Sequence, residues 1–481
     1  MGLVVVLLAA GSAWGQEHSE PPGDPIEAPQ TPVGRQLAWV IRVINGEAIG
    51  ALPARFTPRF LETFSEAEVT ETLTKLRDRI FAGHRVDLVE IQEETENANA
   101  ITGILNAAKT DRFISAYVAL DEKTGLIAGL EFNPAGYSCR AGDWETLQGD
   151  LGRMSGQVAF GAYELAPEPA GEGVPANALR LVGVYEFNER QPRAIAGAMQ
   201  LWVLGALAEE IAAKHEGGVT LEDEVALRPE WTCLPGGALS SRDAGSKVKV
   251  GELVRLMNEA GDTTATDHLI GLLTPAKIES YVLSRTRDAR ASVPLLTLRQ
   301  MFALKLAPDD ALTLDYARAN ADARAAMLAP DGALAKPEVK WDQLETWSTP
   351  RLEGEVGYFC SARDLAGIFG DVRRLEQAAG LERIAEGLRH DPGFEVDRDT
   401  WKSIAHKGGR EPGVVSLAWL LKRDDGRWFA LAAIWNNAEQ PVDGERLREV
   451  ARAGAGILAK YGREGAATEG GADGKGGPEA K

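Results

Sequence analysis

Two pairs of strand-forming runs, far apart in the chain, constrain the fold most. Gln157–Leu165 and Ala178–Phe187 are β-like and are separated by the loop Ala-Pro-Glu-Pro-Ala-Gly-Glu-Gly. Val414–Lys422 and Trp428–Asn436 form the second pair, with Asp424-Asp425-Gly426-Arg427 as hairpin chemistry between them. Residues from about 194 to 386 read as helical. A last amphipathic helix, about 443–461, carries Leu447, Val450, Ala451 and Leu458 on one face. Strands from both ends with helices between them describe an antiparallel sheet flanked by helices with an all-helical insert. That is an α+β architecture over 151–462.

A smaller pattern precedes it. Leu37, Val40, Ile41 and Ile44 form a helical stripe, and Ser65 before Glu66 and Glu68 caps a helix of about 65–82. Short β-like runs follow at Val86–Gln92, Ala100–Asn106 and Phe113–Leu120. The last of these reaches Leu126–Phe132 across an Asp-Glu-Lys-Thr-Gly turn. Residues 35–134 are expected to form a small α+β domain, and 135–150 a linker. Ahead of them, Leu3–Ala10 is an unbroken apolar run followed by Ala13-Trp14-Gly15, a small-x-small site. Residues 1–15 read as a secretory signal peptide, although no basic residue precedes the run. Residues 16–34 read as a flexible leader, and 463–481 as a disordered tail.

The bulk numbers exclude several classes. A chain of 481 residues with 44% hydrophobic content can bury more than one core, and its net charge of −19 speaks against nucleic acid as a partner. No internal apolar run approaches the ~20 residues of a membrane span. Cys139, Cys233 and Cys360 are far apart, with no C-x-x-C, no H-E-x-x-H and no glycine-rich phosphate loop. No cofactor and no metal are therefore expected. In an oxidising compartment one cysteine pair could form; three small buried thiols is the other reading.

Three motifs carry the chemistry. Ile195-Ala196-Gly197-Ala198-Met199-Gln200-Leu201 opens an apolar helix. Met257 to Ile270 contains the triplet Gly261-Asp262-Thr263. Lys407-Gly408-Gly409-Arg410 lies on a strand near the end. In this order, and with about 64 and about 146 residues between them, they resemble the three motifs of the class A serine β-lactamases, members of the penicillin-recognising serine hydrolases. That family carries Ser-x-x-Lys at a helix start, Ser-Asp-Asn in a loop, and Lys-Thr-Gly or Lys-Ser-Gly on an edge strand. The 35–134 domain resembles, more distantly, the cone-shaped fold of steroid isomerases.

The departures from the family pattern decide the expected function. Gly197 stands in the serine position and Gln200 in the lysine position. Glycine has no nucleophile, and a glutamine amide is no base at neutral pH. Gly261 replaces the serine of the second motif, and no Glu-x-x-x-Asn lies between about 274 and 305. Loss of a nucleophile costs on the order of 10⁶-fold in comparable serine hydrolases. The resemblance thus implies an exported, periplasmic or secreted homologue, catalytically inactive. It would bind a β-lactam-like or peptidoglycan-derived small molecule, or a partner protein. Lys407, Gly408, Gly409, Arg410, Gly197 and Asp262 would line its site. An active hydrolase using a displaced hydroxyl, such as Thr263 with Lys407, is one alternative. A ligand-binding protein working through the N-terminal domain is another. Ser240 and Ser241 have no base spaced to serve them. His268 reads as packed, and His406 as pointing away from the Lys407 face.

Overall fold

The computed structural model describes residues 25–463 apart from 82, 96–98, 108–112, 136–138, 140, 172–176, 234–236, 287–288, 379 and 395. The expected signal peptide and the first part of the expected leader, 16–24, lie outside these residues, as does the tail from 464 onward. The chain divides into two compact units, 1–140 and 141–481.

In the first unit, α1 (Pro32–Ile44), α2 (Pro58–Thr63) and α3 (Glu66–Lys75) accompany a four-stranded antiparallel meander. Its strands are β1 (Val86–Glu94), β2 (Ala100–Ala107), β3 (Phe113–Leu120) and β4 (Ile127–Ala135), in that order. Thr31 caps α1, so order begins inside the segment expected as leader. The capping box of Ser65 and Glu68 starts α3 as the sequence indicates, but α3 ends at Lys75 and one wider turn, Leu76–Ile80, replaces the last part of the expected helix. The buried stripe of α1 packs with Phe56, Phe60, Leu105, Ile114 and Val118 into this unit's core.

The second unit begins with α4 (Trp144–Gly152), inside the segment expected as a linker. The Asp143 carboxylate caps it, Leu147 and Leu151 are buried, and Trp144 stacks on Tyr185 at 4.7 Å. Then come β5 (Gln157–Pro167), β6 (Leu179–Phe187), β7 (Arg193–Ala194), a 3₁₀ turn (Ala196–Met199) and α5 (Gln200–Ala212). The insert continues through β8 (Glu224–Ala226), β9 (Lys247–Lys249), α6 (Val250–Ala260), α7 (Thr263–Leu273) and α8 (Pro275–Leu283). It ends with α9 (Leu298–Lys305), α10 (Ala311–Arg318), α11 (Ala321–Leu328), β10 (Phe359–Cys360) and α12 (Ala362–Leu375). Last come β11 (Trp401–Glu411), β12 (Val414–Arg423), β13 (Trp428–Asn436) and α13 (Gly444–Lys460).

The main sheet has the order β11-β12-β13-β5-β6, antiparallel throughout. Its centre is the junction of β13 with β5, where Ala432 faces Gly161 across more than 260 residues of chain. A two-stranded hairpin is marginal alone, so each half needs the other. Alpha-5 is buried from Gln200 to Ala208, with Leu201, Trp202, Val203 and Leu204 fully enclosed. An apolar helix without a polar face belongs in the middle of a core, and α5 is that helix here. The three cysteines are buried thiols with no disulfide among them, the second of the two readings of the sequence. Among the described residues no helix is long and apolar enough to cross a membrane, and no group of acidic, His or Cys residues could hold a metal ion.

Candidate functional site

The head of α5 is pinned before any side chain of the site is considered. The Asn436 side chain clasps Ala194 twice: it accepts from the Ala194 N–H at 2.8 Å and donates to its carbonyl at 3.0 Å. Ser416 Oγ donates to the Ile195 carbonyl at 2.6 Å, and the Ile195 N–H donates to Tyr358 O at 2.9 Å. These contacts hold Ala196 at φ 43°, a left-handed conformation that costs a non-glycine residue on the order of 1–3 kcal/mol. Gly197 follows, half-buried, at the position of the missing nucleophile.

Gly197 and β11 meet closely. A Cβ on Gly409 would lie 2.4 Å from the nitrogens of both Gly197 and Ala198, so only glycine permits this approach. A Cβ on Gly197, by contrast, would lie 3.6 Å from Gly409 Cα and 3.8 Å from Gly408 O, ordinary contact distances. A Cβ on Gly408 would meet Leu417 at 2.9 Å.

Gln200, one turn on, is 3% exposed. Its Nε2 donates to Thr266 Oγ1 at 2.8 Å and to Gly261 O at 3.3 Å. Gly261 sits at φ 64°, the left-handed residue that ends α6, where glycine carries no steric penalty. The next residue, Asp262, is the N-cap of α7. Its carboxylate accepts from Ala265 N–H at 2.9 Å and Leu239 N–H at 3.3 Å. Thr263 Oγ1 donates to the Cys233 carbonyl at 3.1 Å.

Lys407 is 5% exposed, and its ammonium donates to Met257 O at 2.6 Å and Asn258 O at 3.4 Å. Those are last-turn carbonyls of α6, the negative end of that helix. Lys407 therefore serves as a cationic cap, and burial pushes its pKa down to about 7. Arg410 is exposed.

Of the residues singled out in the sequence, Gly197, Gln200, Gly261, Gly408 and Gly409 converge. Lys407 and Thr263 spend their hydrogen bonds on different carbonyls. His268 is packed as expected: it accepts from Arg228 N–H at 2.9 Å and its Nδ1 lies 2.7 Å from Thr264 O. His406 stacks on Trp419 at 4.9 Å, and its buried Nε2 has no hydrogen-bond partner among the described residues. Sequence reasoning missed two groups. Asp267 is fully buried and accepts from the Leu298 and Arg299 N–H groups at the head of α9, and burial pushes its carboxyl up to about 7. Lys305 and Glu411, both buried, form an ion pair beside Arg410, and burial raises the Glu411 carboxyl although the ammonium opposes it. A lysine inside Met301-Phe302-Ala303-Leu304-Lys305-Leu306 was the available signal for the second.

Known proteins offer a partial match. The family model described as the Beta-lactamase enzyme family matches residues 175–328, about a third of the chain. No curated protein matches the sequence. Solved structures include a β-lactamase from Sphaerobacter thermophilus DSM 20745, 16% identical, covering 66% of this chain and 98% of its own, with a TM-score of 0.45. A class A β-lactamase from Mycobacterium abscessus is 13% identical over 65% and 98%, with a TM-score of 0.40. A PBP-A mutant in an acyl-enzyme complex with penicillin G is 16% identical over 66% and 96%, with a TM-score of 0.42. The stretch that carries Gly197, Gln200 and the Gly261–Thr263 turn is, by its family match, β-lactamase-like.

Proposed function

We propose that the second unit is an exported β-lactamase-like protein that forms no acyl-enzyme and binds its ligand reversibly. The observation that carries this reading is the pair Gly197 and Gln200: no hydroxyl at the head of the helix, and an amide where a base would stand. The amide is fixed in place by Thr266 and Gly261 and has no proton-accepting nitrogen to offer. A displaced mechanism through Thr263 and Lys407 finds little support, because each is bonded to a different main-chain carbonyl. The likeness of the first unit to steroid-isomerase cones belongs to the same proposal. It is supported by helices accompanying a four-stranded meander and by a small pocket lined by Phe60, Phe64, Leu130 and Phe132.

Incubating the purified protein with nitrocefin and with a fluorescent penicillin tests the reading. No turnover, and no fluorescence retained after boiling in detergent, is expected. A stable penicilloyl adduct at any residue would refute it.

A further inference from the structure

A second recess lies at the far end of α5, roughly 20 Å along the helix from Gln200. A cleft of about 470 Å³ opens there between the end of α5 and the chain that leaves it, within the roughly 300–1,000 Å³ of small-molecule sites. Its apolar lining is Ile211, Val219 and Leu221, all half-buried and packed against the main core. The turn that forms its wall is set by the backbone. The Lys214 N–H donates to Ile211 O at 3.2 Å, and the Gly218 N–H donates to His215 O at 2.9 Å. Lys214 follows the C-cap Ala213 at φ 49°, the left-handed position that helix ends usually give to glycine. A lysine stands there despite the steric cost to a residue with a Cβ.

The charges on the rim narrow the ligand's class. The two carboxylates of the lining are committed: Glu210 pairs with Lys277 at 2.7 Å and Glu222 with Lys249 at 2.6 Å. Glu216, next to His215, is not part of the lining. Lys214 and His215 are part of it and exposed, and neither side chain has a hydrogen bond or ion pair among the described residues. The end of α5 carries about half a negative charge, which one ammonium already exceeds. The cleft therefore joins an apolar floor to a cation and a ring N–H with no acceptor. We propose that it binds a small amphipathic carboxylate, the apolar chain on Ile211, Val219 and Leu221 and the carboxylate on Lys214 and His215. This site is separate from the head of α5 and does not depend on the reversible-binding reading given for it.

Calorimetry on the full chain at low salt, with octanoate, octanamide and acetate, tests it. Octanoate should bind about threefold to tenfold more tightly than octanamide, which lacks the charge, as expected for contacts with exposed partners. Acetate should bind at least about tenfold more weakly than octanoate, because each buried methylene is worth about fourfold. The double variant Lys214→Met, His215→Gln changes two exposed side chains, so the fold is expected to hold, which circular dichroism checks. It should lower the affinity for octanoate to that for octanamide. No binding of octanoate, equal affinities for octanoate and octanamide, equal affinities for octanoate and acetate, or undiminished octanoate binding in the double variant would each overturn the assignment.

Discussion

The Gln200 amide donates to the Thr266 hydroxyl, and that hydroxyl donates to the Asp262 carbonyl, each at 2.8 Å. This chain ties the first turn of α5 to the first turn of α7, across 66 residues of sequence. A glutamine so held is a structural part of the cleft as well as a replaced base.

Restoring both lost groups should restore chemistry. A Cβ at position 197 meets only ordinary contacts with Gly408 and Gly409, so the backbone accepts a side chain there. The double variant Gly197→Ser, Gln200→Lys is expected to acquire slow covalent labelling by fluorescent penicillin, with Gly197→Ser alone at least about tenfold slower for want of a base. Absence of labelling in the double variant would mean that the β11 edge has closed over residue 197.

The close approach of β11 should be visible in stability. Gly409→Ala places a methyl 2.4 Å from two backbone nitrogens and is expected to cost about 1–3 kcal/mol, whereas Gly197→Ala should change stability far less. Urea unfolding of the two variants gives the comparison.

Lys305 and Glu411 are buried as a pair. Lys305→Met leaves an uncompensated buried carboxylate and should destabilise by about 3–5 kcal/mol. Replacing both partners with apolar residues should recover most of that loss. A single variant as stable as the parent would contradict a paired charge there.

Two titrations set opposite pH slopes. The Lys407 pKa in the folded protein, about 7, lies below its unfolded value near ~10.4. Between these pH values the unfolded chain binds more protons, so this group makes stability rise with pH. Lys407→Met should flatten that rise. Asp267 has a folded value of about 7, above its unfolded value near ~3.9. There the folded chain binds the extra proton, so this group makes stability fall as pH rises from ~4 to 7. Asp267→Asn should remove that fall, as followed by melting temperature against pH.

His406 adds a third, acid-side term. Burial lowers its pKa to about 4, below the unfolded ~6.5, so stability from this group grows as pH rises between those values. Among the groups that act on it, Asp391 favours the charged ring while Arg448 and Lys407 oppose it. His406→Phe can keep the stack on Trp419 and should reduce the loss of stability below pH 6.

Sequence by itself determined the sheet halves, the ends of β13 and α13 to within a residue or two, the capping box of α3, and the convergence of Gly197, Gln200 and Gly261. These are legible because strand alternation, capping and motif spacing are local or ordered along the chain. The helix at Trp144–Gly152 was not legible, because glycine and proline around it mask a short helix whose burial depends on Tyr185 and the sheet. Nor was the fate of Lys407. Its type and strand position suggest a cation offered to a ligand, but only the folded chain brings the end of α6 to it and turns it into a helix cap. The partners of a buried charge lie far away in sequence, 106 residues for Lys305 and 150 for Lys407, and only tertiary packing selects them.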